Sequence, residues 1–161
     1  MTDSRVVAIR AREVEPRIGS GYPKPFRKQV ASRSKRALGD LFGLTSYGVN
    51  LVELMPGSWS SQRHWHTHED EFVYVLSGEL TLVTDGGEHL LTAGMAAGFP
   101  AGKANGHHLV NKSESVASFL ETGNRIKEDE VYYPDVDLRL TRDGDGGHVF
   151  THRDGKPYGD D

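Results

Sequence analysis

The chain has 161 residues, enough for one domain with a real core and too few to make two obvious. Hydrophobic residues make up only 36% of it and the net charge is −4. That balance predicts an economical, strand-rich core and argues against a nucleic-acid protein or a membrane-surface binder. With no cysteine, disulfides and thiolate ligands are excluded, and any metal must sit on nitrogen and oxygen.

The opening Met1-Thr2-Asp3-Ser4-Arg5 has no apolar signal core and no run approaches membrane-spanning length, so a cytoplasmic protein is expected. Residues 1 to about 35 read as an arm. A short strand fits Val6 to Ile9, after which Pro16, Gly19, Gly21, Pro23 and Pro25 break the chain. Arg27, Lys28, Arg33, Lys35 and Arg36 place five basic residues in ten with no acid. A solvated or partner-facing surface is the expectation there, and a phosphate-binding patch is the sharper alternative.

From Leu41 the pattern turns to β-structure. Eight short strands are predicted between 47 and 122, at 47–55, 59–66, 71–76, 79–84, 88–92, 95–99, 107–111 and 116–121. Turn signals separate them: Pro56-Gly57, Ser77-Gly78, Asp85-Gly86-Gly87, Ala93-Gly94, Pro100-Ala101-Gly102 and Lys112-Ser113. That spacing predicts a sandwich or barrel. Trp59, Trp65, Phe72, Tyr74, Phe99 and Phe119 are expected to fill its two faces, with Trp65 outside, against the arm or a partner. In the tail, Asp143-Gly-Asp145-Gly-Gly147 lacks the downstream glutamate of a calcium loop and reads as a hairpin turn. Tyr132-Tyr133-Pro134-Asp135 reads as the tail folding back onto the barrel, and His148 and His152 as exposed.

The densest chemistry lies in residues 64–71, His-Trp-His-Thr-His-Glu-Asp-Glu. If residues 67–70 form a turn between two antiparallel strands, His66 opposes Glu71 and His64 lies on the same face. Two imidazoles and a carboxylate then converge as three ligands of a metal ion. His68 falls within the turn and is left at the rim.

Gly57, His64, His66, Glu71 and Gly78 resemble the first motif of the cupin superfamily, and Gly94, Pro100, Gly102, His107 and Asn111 resemble the second. Four residues between His66 and Glu71, and six between Glu71 and Gly78, fit the family's spacing. The interval from Gly57 to His64 is one residue too long, which predicts a bulge before the histidines. Four residues rather than two separate Gly102 from His107, so His107, His108 and Asn105 all compete for the family's last ligand position. Strand parity favours His107, which shares a face with Leu109 and Asn111.

The resemblance implies an all-β fold, a double-stranded β-helix or jelly-roll-like barrel. An N-terminal arm at 1–44 would precede a core at 45–122, and an extension at 123–161 would pack on it. It implies one divalent ion per chain (Zn, Fe, Mn, Ni or Co) on His64, His66, Glu71 and His107, released by acid below about pH 6 because each imidazole must be neutral to bind. Pairing as a homodimer and a small-molecule ligand or substrate are expected, with no nucleic acid and no membrane. Two classes of function follow: a dioxygenase or sugar isomerase or epimerase acting on a small polar metabolite, or a non-catalytic ligand-binding or sensing module.

Overall fold

The computed structural model describes residues 6–159; residues 1–5 and 160–161, the tips of the expected arm and extension, lie outside the described residues. The arm carries β1 (Arg17–Ile18) and β2 (Arg33–Ala37). The central region supplies β3 (Tyr47–Leu54), β4 (Trp65–His66), β5 (Glu71–Ser77), β6 (Glu79–Thr84), β7 (Gly87–Thr92), β8 (Ala96–Phe99), β9 (His108–Val110) and β10 (Ala117–Asn124). The extension adds β11 (Val131–Tyr133), β12 (Leu138–Arg142) and β13 (His148–Thr151). Eight strands between 47 and 124 match the expected number, and the only α-helix among the described residues is the single turn α1 (Leu38–Leu41).

Three sheets form. One runs β1-β2-β3-β10-β5-β8, a second β7-β6-β9, and a third β13-β12-β11-β4. The main core lies between the first two: Val52, Leu54, Val73, Val75 and Phe119 of the large sheet pack with Leu80, Leu82, Leu91 and Leu109 of the small one. Period-two alternation explains the selection. On β5, Val73 and Val75 are buried while Phe72, Tyr74 and Leu76 stand exposed. Phe72 and Tyr74 thus do not fill a packed face as expected, because the side of the sheet they occupy is uncovered.

A second cluster joins arm to extension. Tyr22 and Val30 bury against Val131, Tyr133 and Leu138, with Phe26, Trp59, Leu140, Phe150 and Tyr158 around them. The apolar residues of the arm between 22 and 30 are therefore used within their own chain. Val6, Val7 and Ile9 are exposed and form no strand. Trp65 does face outward, and it stacks on Tyr132 of the extension at 4.9 Å between ring centroids. The 143–147 run is a hairpin turn, closed by Gly147 N–H donating to Asp143 Oδ1 at 2.7 Å.

The predicted strand at 59–66 survives only at its end. Trp59 bridges Val110 and His64 bridges His107, so four residues on one side span two on the other and the chain bulges between. The expected bulge is there, larger than the spacing suggested. Its polar groups are held individually. Trp59 N–H donates to Gln29 O at 2.8 Å and Ser60 N–H to Leu109 O at 2.8 Å. The Arg63 guanidinium forks onto Asp135 at 2.6 and 2.7 Å.

At Gly78 the backbone has φ +76°, and an added Cβ would sit 2.8 Å from Ala117 Cα and 2.9 Å from Val116 O. Both conformation and space demand glycine. Gly78→Ala should cost roughly 1–3 kcal/mol, whereas Gly144→Ala, where an added Cβ meets open space, should be near neutral. Urea midpoints of the two variants give the comparison, and equal midpoints would contradict the steric account.

Candidate metal centre

His64, His66, Glu71 and His107 come together on three different elements. The hairpin expected to unite them does not form: His66 pairs with Val131, and Glu71 pairs with Phe99 and Gly123. β4 and β5 belong to different sheets, and the turn at 67–70 carries the chain from one to the other. Convergence comes from the two sheets facing each other. His64 and His107 are joined directly, each N–H donating to the other's carbonyl at 3.1 and 2.8 Å.

All three imidazoles aim Nε2 at one carboxylate oxygen. Glu71 Oε2 lies 3.2 Å from His64, 3.4 Å from His66 and 2.6 Å from His107. The opposite nitrogen of each ring is tied to an acceptor. His64 Nδ1 donates to Gln62 O at 2.9 Å, His66 Nδ1 to Asp129 Oδ2 at 2.6 Å, and His107 Nδ1 to Asn105 O at 3.4 Å. With the proton on Nδ1, every Nε2 presents a lone pair. With the proton on Nε2 instead, His107 donates to Glu71 Oε2 at 2.6 Å, so the cluster is satisfied either by such a hydrogen bond or by a cation between the four groups.

The remaining candidates sit elsewhere. His108 points to the other side of its strand, donating Nδ1 to Ser61 O at 2.9 Å and lying edge-on to Trp59 at 4.7 Å. Asn105 lends its side-chain oxygen to Asp85 N–H at 2.9 Å. His68 is exposed, within 2.8 Å of Thr67 Oγ1.

Sequence reasoning missed Asp129, because nothing in the extension marks one acid among several. It is 4% exposed, accepts from His66, and takes the backbone N–H groups of His68 and Glu69 at 2.8 and 3.1 Å. One carboxylate thus fixes both the His66 ring and the turn leading to Glu71. Burial pushes Asp129 up, but these hydrogen bonds outweigh it and hold the group below its ordinary value. His66, Glu69 and Asp129 also lie close enough to hold an ion. Glu69 is already engaged, accepting from Ile126 N–H at 2.9 Å and from Arg142 at 3.0 Å.

A cavity of about 190 Å3 opens beside the cluster, lined among others by Tyr22, Arg33, Glu121 and Tyr133. Burial pushes both tyrosine hydroxyls up, so each keeps its proton at neutral pH. Arg33 donates to Ser60 O at 2.6 Å and Gly19 O at 3.0 Å, and its Nε is buried without a partner. The expectation of a solvated basic face therefore splits by strand parity. Arg33 and Lys35 line the interior, while Arg36 turns the other way to Glu53 at 2.5 Å.

His64, His66 and Glu71 lie close enough together to hold a divalent ion, with His107 beside them against Glu71. Ligand atoms about 2.0–2.2 Å from an ion lie roughly 3 Å apart at right angles, close to the His64 and His66 separations; His107 would draw back slightly from Glu71. Burial pulls His66 down, but its hydrogen bonds to Asp129 and Glu71 prevail and lift it to about 10. Burial likewise disfavours the Glu71 carboxylate, and the neighbouring imidazoles more than reverse this. Without a metal, the cation at the centre is a proton on His66. Its folded-state value exceeds the unfolded one near 6.5. That stabilisation of metal-free protein is complete below about pH 6.5 and is lost as the pH rises towards 10. Urea midpoints of chelator-treated protein should fall between pH 6.5 and 9.5 more steeply in wild type than in His66→Gln. Parallel slopes would refute the assignment.

Comparisons with known proteins agree with this architecture. The Cupin domain family matches residues 50–123. A sugar phosphate isomerase from Silicibacter pomeroyi is 44% identical, with a TM-score of 0.88 over 95% of this chain and 97% of its own. A structure from Acidithiobacillus ferrooxidans, given the same activity provisionally, is 32% identical, with a TM-score of 0.71 over 81% of this chain and 83% of its own. Quercetin 2,3-dioxygenase of Bacillus subtilis is 31% identical over 67% of this chain, which spans only 31% of that enzyme's length. With a barrel of this topology, both histidine motifs in order and relatives matched along nearly their whole length, the chain belongs to the cupin superfamily.

Proposed function

We propose that His64, His66, Glu71 and His107 hold one divalent metal ion, and that the protein uses it to isomerise a small sugar-type hydroxy-aldehyde or hydroxy-ketone. The observation that carries this reading is the convergence of three imidazole Nε2 atoms on one carboxylate oxygen, beside a cavity that also contains proton-carrying side chains. A bound divalent ion supplies Lewis acidity, which polarises a carbonyl oxygen and acidifies the neighbouring C–H.

The chain's own residues supply the rest. Glu121 lies on the inward face of β10, two residues from Phe119, with Lys35 Nζ 3.4 Å from its carboxylate. We assign it to take the proton from the carbon beside the carbonyl and return it to the carbonyl carbon. We assign Tyr133, buried and protonated, to give its proton to the former carbonyl oxygen and take the one that the neighbouring hydroxyl releases, which completes the exchange. Asp129 orients His66 through Nδ1 and sharpens its Nε2 as a ligand. Phe99 lies flat on His107 at 3.6 Å between ring centroids and keeps water from that side of the ring. A dioxygenase reading draws on the Bacillus relative; the charged, proton-carrying lining favours isomerisation.

Elemental analysis of protein purified without a metal-affinity tag should find about one metal per chain, lost in His64→Ala and His107→Ala and kept in His108→Ala. Retention in His107→Ala would refute the ligand set. Asp129→Asn should weaken metal binding about 10- to 100-fold in a competitive chelator titration while leaving the fold intact. In D2O without oxygen, wild type should exchange the proton beside the carbonyl of its aldose substrate, followed by NMR. Glu121→Gln should slow this by about 10²- to 10⁴-fold without metal loss. Oxygen uptake in place of exchange would support the dioxygenase, and binding without either a sensing module.

A further inference from the structure

Where the arm faces the cleft two like charges stand directly opposite one another, and where the extension faces it a cation stands opposite an uncharged imidazole. In the β1–β2 pairing Arg17 opposes Lys35, and in the β12–β13 pairing Arg142 opposes His148. Opposed residues share a face and stand about 4.5–5.5 Å apart at Cβ, and like charges in that relation destabilise a sheet. Both pairs line the same cleft, about 920 Å3 in volume, whose floor includes His66 and Glu71. They act on one another across it: after burial, the charges of Arg142, Lys35 and Arg17 are what hold His148 below its ordinary value. A sheet that needed only solubility there would alternate signs.

The local balance is positive although the chain as a whole carries −4. Arg17, Arg33, Lys35 and Arg142 face only two carboxylates outside the metal cluster, Glu121 beside Lys35 and Glu69 beside Arg142. Arg125 and Asp40, farther along the cleft, cancel each other. Two positive charges remain. Among the described residues, neither Arg17 nor His148 has a side-chain hydrogen bond or ion pair, so both are free to meet a ligand. Arg33 adds a guanidinium nitrogen buried without a partner.

We propose that Arg17, Lys35, Arg142 and His148 form a binding site for the phosphate group of a small phosphate monoester whose other end reaches the metal centre. A phosphate monoester carries close to two negative charges at neutral pH, which the excess matches. Its three oxygens accept from forked guanidinium groups, and its second charge favours it over a carboxylate. Binding removes the repulsion between Arg17 and Lys35, so the ligand recovers the stability their placement sacrifices, and the uncharged His148 adds a hydrogen-bond donor. This deepens the isomerase reading, on which it rests for the nature of the ligand's other end. The binding site itself is defined by charges on β1, β2, β12 and β13.

Calorimetry on protein as purified, with its metal content measured, separates the possibilities using glycerol phosphate, glycerate, glycerol and inorganic phosphate. Glycerol phosphate should bind at least about tenfold more tightly than glycerol or glycerate, with inorganic phosphate competing. Arg17→Gln and Arg142→Gln should each weaken glycerol phosphate by about ten- to a hundredfold with metal content unchanged. The urea midpoint of Arg17→Gln should equal or exceed that of wild type, since it removes only repulsion. Undiminished affinity in the double variant, with the phosphate resting on the metal, would overturn the proposal, as would equal binding of glycerate. If binding depends on these residues but no aldose exchanges its proton, the isomerase reading fails and the phosphate site stands. If a free sugar exchanges as fast as its phosphate, and the double variant treats both alike, the site fails and the isomerase reading stands.

Discussion

Hydrogen-bond acceptors do not gather inside a protein without a proton or a cation among them, and the interior of this barrel is arranged around that constraint. Three Nε2 atoms and a carboxylate meet at separations of 2.6–3.4 Å, the shortest a hydrogen bond between His107 and Glu71. Left without either they would repel in a medium that screens poorly. The surrounding structure keeps them there regardless. A carbonyl or carboxylate holds each Nδ1 proton in place, and the His64–His107 backbone pair locks two of the rings onto adjoining strands. The site draws positive charge, and a proton held on His66 meets that demand. The same rigidity that makes it tense when empty of charge makes it ready to bind one.

Part of what surrounds the cluster comes from outside the segment the Cupin domain family matches, residues 50–123. The arm contributes Tyr22, Arg33 and Lys35; the extension contributes Asp129, Tyr133, Arg142 and His148. The two are not independent additions. Tyr22 and Val30 pack into the same cluster as Tyr133 and Leu138, so burying the arm also fixes the extension and aims its charges inward. The barrel carries the cluster, and the appendages decide what can approach it. A residue as remote in sequence as Asp129 can then govern the orientation of His66, 63 positions away.

The core strands were legible because alternation and turn residues report local geometry. Gly78, Gly94 and Gly102 punctuate strands whose backbone there adopts φ of +76°, +89° and +72°, a signal that needs no tertiary information. His107 was chosen over His108 by parity alone, and the two rings do stand on opposite sides of the chain. The proposed hairpin at 67–70 failed for the same reason that parity succeeds: alternation tells which face a residue occupies and not which strand lies beside it. His66 pairs with Val131, a partner 65 residues away that no turn announces. The basic run in the arm was read as a single surface when its register divides it. Arg33 and Lys35 turn to the interior and Arg36 to Glu53, a distinction that needed β2 to be recognised as a strand.

The order of charges along the cleft ties these features together. Its apolar depth, walled by Val73, Leu82 and Phe119, adjoins the histidine cluster, and Arg17, Lys35 and Arg142 line the cleft that shares His66 and Glu71 with it. Apolar walls exclude water and strengthen each electrostatic interaction near them. The positive lining draws an anionic group to itself before it reaches the histidine cluster. A ligand with an anionic end and a neutral, oxygen-bearing end would therefore be oriented before it arrived, the anionic end held back and the neutral end led to the acceptors. Neither half of that arrangement accomplishes this alone, which is why the charges on the arm and the extension are best understood as part of one site with the histidines.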